Sequence, residues 1–192
     1  MSQEYESVDL VGDETVKQFT GAVLVAALTA GLAQFSIPLP GGTPFSFQPF
    51  GMFFAGLLLG PLWGGFALAL YLLVGIAGVP VFSNGGSGLG YILAGPTGGF
   101  LIGFLVGAVV SGAIIHRRLT PRALPSVPIP VQVAGLLAAI AVAYLVGIPW
   151  YASIQGLPIS RAAVGLAPLM PLDAVKVAIT IGIVRGGYLA RR

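Results

Sequence analysis

Long apolar runs dominate this chain, and short polar or Gly/Pro-rich stretches separate them. A helix needs about 20 mostly apolar residues to cross the hydrocarbon core of a bilayer. Residues 16–34 form the first such run, and 35–46 form a Pro/Gly loop. Residues 47–76 are apolar but broken by Gly60-Pro61, where proline removes a helix donor. A Gly-rich loop over 78–98 leads to a span over 99–115. A basic, Pro-rich loop covers 116–130, followed by a span over 131–146. Residues 147–171 read as irregular, and 172–189 close the chain as a last helix.

Charge placement decides how to count residues 47–76. Two helices there give six spans, with both chain ends on one side. Lys17, Arg117, Arg118, Arg122, Arg185, Arg191 and Arg192 then share that side, and Arg161 lies opposite. Cytoplasmic loops carry the excess of Lys and Arg. One helix there would leave Arg117, Arg118 and Arg122 outside. The expected fold is therefore all-α, a polytopic bundle of six transmembrane helices over 16–192. It lies in the lipid bilayer of the cell membrane, with the N- and C-termini cytoplasmic. Residues 1–15 carry Glu4, Glu6, Asp9, Asp13 and Glu14. They read as a disordered acidic cytoplasmic tail, without the basic start of a secretory signal.

Composition supports this picture. Hydrophobic residues make up 56% of the 192 and charged residues 8%, against about 25% charged in soluble domains. Too few charges remain to build a water-facing surface. Cysteine is absent, which removes disulfide and thiol chemistry. His116 is the single histidine, so no histidine cluster for a metal is expected. The net charge of +3 does not imply nucleic acid, because the cations sit where membrane orientation needs them.

Small residues recur every four positions: Ala22, Ala26 and Ala30; Gly56, Gly60 and Gly64; Gly99, Gly103 and Gly107; Gly135, Ala139 and Ala143. Residues four apart share a helix face, and a face without bulk lets helices approach closely in lipid. Internal packing explains most of these stripes, and docking to a partner could use one.

Asp173 is the one acidic residue after Glu14, and Lys176 the one lysine after Lys17. At a spacing of three they share a face of the last helix. A charge at mid-membrane costs about 2.5–3.5 kcal/mol on insertion scales. Lys176 precedes Arg185 by nine residues, which places it roughly 13 Å outward of that arginine. Two readings fit: an ion pair pinning the last helix, or a site in which Lys176 holds an anionic group on a small solute while Asp173 orients Lys176 or accepts N–H donors from the solute. A catalytic pair is a third use, but no serine–histidine or metal set accompanies the two charges, so no catalytic residue is expected. The loop over 79–91 holds Asn84 among glycines that let backbone approach a ligand; a plain connector is its other reading. Gln48, between aromatic residues, is a candidate amide contact or a packing residue. Tyr91 and Trp150 are candidate aromatic walls.

Several segments resemble the BioY family, the biotin-binding S-components of energy-coupling factor (ECF) transporters. They are Ala26-Ala-Leu-Thr-Ala30, Ser36-Ile-Pro-Leu-Pro40, Pro44-Phe-Ser-Phe-Gln48, Ala55-Gly-Leu-Leu-Leu-Gly-Pro61, Gly75-Ile-Ala-Gly-Val-Pro-Val-Phe82, Gly95-Pro-Thr-Gly-Gly99 and Pro171-Leu-Asp-Ala-Val-Lys176. The resemblance implies a six-helix bundle that takes biotin from outside, with Asn84, Asp173 and Lys176 as polar contacts. It implies docking of the first helix, through Ala26 and Ala30, on an ECF transmembrane coupling subunit energised by two ATPase subunits. Biotin is then cargo, and no cofactor is expected. Leu172 stands where the family usually has glycine, and Gly41-Gly42 where it often has another proline.

Overall fold

The structure is a computed structural model and describes residues 12–38 and 44–189. The first eleven residues of the acidic tail and Gly41-Gly42 lie outside the described residues. Seven α-helices are found among those described: α1 (Asp13–Gln34), α2 (Gln48–Ile76), α3 (Leu89–Leu93), α4 (Gly98–His116), α5 (Ile129–Gln155), α6 (Ile159–Leu166) and α7 (Leu169–Leu189). A two-residue antiparallel hairpin joins α1 to α2, with β1 (Ser36–Ile37) paired to β2 (Phe45–Ser46).

Four helices, α1, α2, α4 and α5, are each long and apolar enough to cross a membrane. A fifth span arises if α6 and α7, bent by 49°, count as one. The simple expectation of six spans is therefore not met by counting helices. The difference lies mainly in α2, 29 residues long, where Gly60 has φ +74° and interrupts the helix. Pro61 follows and has no N–H to give. A Cβ on Gly64 would lie 2.6 Å from the Ala55 carbonyl oxygen. In a straight helix these residues would stand about 13 Å apart along the axis, so the chain folds back sharply at Gly60.

A second difference concerns 147–171, read as irregular. Helix α5 runs through Pro149 to Gln155, and α6 follows after three connecting residues, Gly156, Leu157 and Pro158. Proline costs α5 one ladder bond, and Gly147 compensates by letting the helix press on the Phe100 ring.

Glycine stripes set the packing. A Cβ on Gly103 would meet Ala143 Cα at 2.8 Å, and one on Gly107 would meet the Ala139 carbonyl at 3.0 Å. The Gly99 and Gly135 positions continue this antiparallel seam at its two ends, against Val146 and Ser111. Gly56 of α2 faces Ala108 and Ser111 of α4 in the same way. Without bulk, backbones approach and dispersion contacts replace lipid contacts. These stripes are internal packing, as the sequence suggested for most of them. Helix α1 packs on α2 through Ala22, Val25, Ala26, Thr29 and Ala33.

Candidate functional site

Helix α7 buries Leu169-side positions at a helical period: Asp173, Lys176, Val177, Thr180, Ile181 and Val184 are all inward. The two charges lie near its N-terminal end, on the rim of a cavity. Asp173 is 9% exposed and Lys176 4%. Lys176 Nζ donates to Asp173 Oδ1 at 2.7 Å and to the Ser46 carbonyl at 2.7 Å. Its cation also stands 4.3 Å from the centroid of the Phe45 ring, a distance at which the ring face attracts it. Tyr144 of α5 donates to Asp173 Oδ2 at 2.8 Å. Each charge of the buried pair thus has a partner besides the other, as a charge in a low-dielectric interior needs.

The cavity opens beside this pair. The hairpin residues Phe45 and Ser46 cover it, Met52, Phe100 and Phe104 form an apolar wall, and Asp173 and Lys176 form the polar one. The cavity volume is about 50 Å³. A solute of vitamin size enters only if the cover moves.

Gln48 lies on the same cavity, but its amide is already used. Its Nε2 donates to the Tyr71 hydroxyl, which donates in turn to the Val81 carbonyl at 3.0 Å. Its Oε1 accepts from Ser83 Oγ at 2.6 Å and from Ser46 Oγ at 3.3 Å. Gln48 therefore ties the hairpin and the Gly-rich loop to the start of α2.

The other expected contacts lie apart from this cavity. Asn84 is exposed, in the left-handed region at φ +58°, a conformation asparagine tolerates better than most residues. Its Oδ1 accepts from Ser36 Oγ at 3.0 Å and its N–H donates back to that oxygen at 3.3 Å. This pair clasps the hairpin to the Gly-rich loop. Tyr91 stacks on Phe82 with ring centroids 5.2 Å apart, and its hydroxyl donates to the Ser83 carbonyl. Trp150 is half-buried and donates Nε1–H to the Gly95 carbonyl at 3.1 Å, holding the loop before α4. Ala26 is packed against α2, and Ala30 is half-buried.

Sequence reasoning passed over Ser46, Tyr71, Ser83 and Tyr144. Tyr144 carried a usable signal: a hydroxyl in an apolar helix wants a buried partner, and Asp173 was the one acid available. The Ser46 carbonyl carried none, because any residue supplies a carbonyl. Among the described residues no group of acidic or histidine side chains could hold a metal.

The model of the BioY family matches residues 2–191 of this chain. The chain is 39% identical over 168 residues to a biotin transporter BioY of Rhodobacter capsulatus, covering 82% of this chain and 85% of that one. It is 34% identical over 166 residues to a probable biotin transporter BioY of Pyrococcus horikoshii, covering 86% and 92%. The fold matches a crystal structure at 2.1 Å of the S-component for biotin from an ECF-type ABC transporter. There the TM-score is 0.82, with 24% identity and 95% of each chain covered.

Proposed function

The chain belongs to the BioY family, and from that premise we propose that it is the membrane subunit that binds biotin for uptake. It is a transport protein, not an enzyme, as its relatives are named. The observation that carries the reading is the Asp173–Lys176 pair, buried on one wall of a cavity whose other walls are aromatic and apolar. Biotin offers a polar ureido ring, an apolar sulfur ring and a carboxylate. Asp173 accepts N–H groups and Lys176 gives N–H to oxygen. The apolar wall covers the sulfur ring.

Binding requires the cover to lift. A ligand oxygen replaces the Ser46 carbonyl at Lys176 Nζ, which releases β2. Asn84 joins the ligand only when Ser36 lets it go. Gln48, Tyr91 and Trp150 act in this scheme mainly by holding the frame of loops around the opening.

The two arms of α2, meeting at Gly60, are read as separate spans, which makes six. This count places Lys17, Arg117, Arg118, Arg122 and Arg185 on the cytoplasmic side with both termini. The Arg185 guanidinium reaches the Val127 carbonyl, and Arg122 N–H donates to His116 Nδ1, which supports their lying at one end of the bundle. The carboxylate–lysine pair then sits toward the outer face. An ECF coupling subunit and two ATPases supply the energy for release. Helix α1 is the docking element, with Ala30 the more accessible of Ala26 and Ala30.

The test is uptake of labelled biotin by biotin-auxotrophic cells expressing the chain with and without an ECF coupling module. Uptake that needs both, and is competed by biotin but not by thiamine or riboflavin, supports the reading. Competition by another vitamin in place of biotin would reassign the cargo.

A further inference from the structure

Tyr144 has no role in the function as described so far, yet it touches both Asp173 and the cavity. It is 7% exposed on α5. Its hydroxyl is the donor to Asp173 Oδ2, while Lys176 takes Oδ1. Each carboxylate oxygen can accept two hydrogen bonds, so each keeps one acceptor site after its protein donor is counted. The tyrosine ring is held in turn by Phe100, edge to face, with centroids 5.5 Å apart at 88°. Together with Ile140 it also lines an apolar groove open to the membrane between α5 and α6. The ring is thus the partition between the cavity that holds the charged pair and an apolar groove on the outer side of α5 and α6. Phenylalanine would serve as a partition equally well; the hydroxyl serves only Asp173.

We propose that Tyr144 is a positioning residue that sets ligand selectivity by fixing the rotation of the Asp173 carboxylate toward an N–H donor of a planar cyclic urea. With both oxygens tethered, from α5 and from Lys176, the carboxylate cannot turn to suit a different ligand. A site built to hydrogen-bond a donor rejects the analogue that lacks it far more strongly than an apolar pocket rejects an extra methyl. This inference rests on the biotin reading above.

The test measures equilibrium binding of biotin and of biotin methylated on a ureido nitrogen, for the detergent-purified wild type and Tyr144→Phe. The hydroxyl's loss is expected to weaken biotin binding about tenfold, the scale of a hydrogen bond to a charged group. The methylated analogue, which the freed carboxylate no longer rejects as strictly, should be nearly unaffected. The preference for biotin then falls about tenfold. Tyr144→Leu, which removes the hydroxyl and the partition together, should lower the preference to the same extent and weaken both ligands further. An unchanged preference in Tyr144→Phe overturns the proposal, whether both affinities fall together or neither moves. Should that variant fail to fold, 4-fluorophenylalanine in place of Tyr144 keeps the ring and fills the hydroxyl's space without its proton, and must likewise lower the preference. Wild type that binds other vitamins but neither of these ligands overturns the biotin reading and this inference with it. Wild type that binds biotin with an unaltered preference in the variants overturns this inference alone.

Discussion

Replacing Lys176 with methionine removes a cation while keeping most of its volume. In the structure that cation is 2.7 Å from Asp173 Oδ1 and 2.7 Å from the Ser46 carbonyl, at 5% side-chain exposure against 12% for Asp173. At an effective dielectric of 20 the gross attraction at this distance is about 6 kcal/mol. Desolvation of the two ions consumes part of it, and stripping one partner from a buried pair typically costs 3–5 kcal/mol. The single variant should therefore lose about 3–5 kcal/mol of stability, because Asp173 keeps only the Tyr144 hydroxyl. Asp173→Asn with Lys176→Met leaves no uncompensated charge, and should recover most of that loss. Neither variant should bind biotin measurably. Thermal unfolding in detergent, followed in parallel with ligand binding, separates the two effects. The reasoning is refuted if Lys176→Met unfolds at the wild-type temperature, or if the double variant is less stable than the single one.

Three further outcomes follow from other contacts. His116 Nε2 lies 3.2 Å and 3.1 Å from the Gly56 and Leu57 carbonyls, and Leu57 has no helical donor because Pro61 lacks an N–H. Its Nδ1 accepts from Arg122 N–H, so Nε2 carries the proton and donates. His116→Ala should cost about 1–3 kcal/mol by orphaning these buried groups, read as a lower unfolding temperature that His116→Gln partly restores. Gly64→Val would drive a Cβ to within 2.6 Å of the Ala55 carbonyl and should abolish the monodisperse species on size exclusion, whereas Gly182→Val, with open space around it, should not. Gln48→Leu removes the acceptor of Ser83 and the donor to Tyr71; it should speed biotin dissociation at least tenfold, at about 1.4 kcal/mol per decade, in a stopped-flow chase.

Much of the bundle was legible in the sequence because lipid imposes one strong rule: backbone groups must bond internally, so apolar runs become helices. The small-residue stripes through Gly103 and Ala143 and the shared face of Asp173 and Lys176 follow from helical periodicity, whereas the meeting of those two stripes is a finding of the structure. Two stretches were harder for physical reasons. Pro149 reads as a breaker, but Phe100 and the α4 seam hold α5 helical through it, and tertiary packing is invisible to propensity. Gly60-Pro61 marked the break in α2 but not its angle, which the Ala55–Gly64 approach reveals. At the site, the charged pair stood out because charge is rare here. Their partners did not: the Ser46 carbonyl is ordinary backbone, and Gln48 looked like a ligand contact because its Tyr71 and Ser83 partners lie 23 and 35 residues away. Asn84 was found by its loop and its resemblance, and the structure gives it to Ser36 in this closed arrangement.

The central claim is that the closed cavity beside Asp173 and Lys176 takes biotin. Equilibrium binding of labelled biotin to the detergent-purified wild-type chain, with unlabelled vitamins as competitors, addresses it most directly. The account predicts saturable binding with one site per chain, displaced by biotin and not by thiamine or riboflavin. A well-folded chain that shows no saturable biotin binding would contradict it.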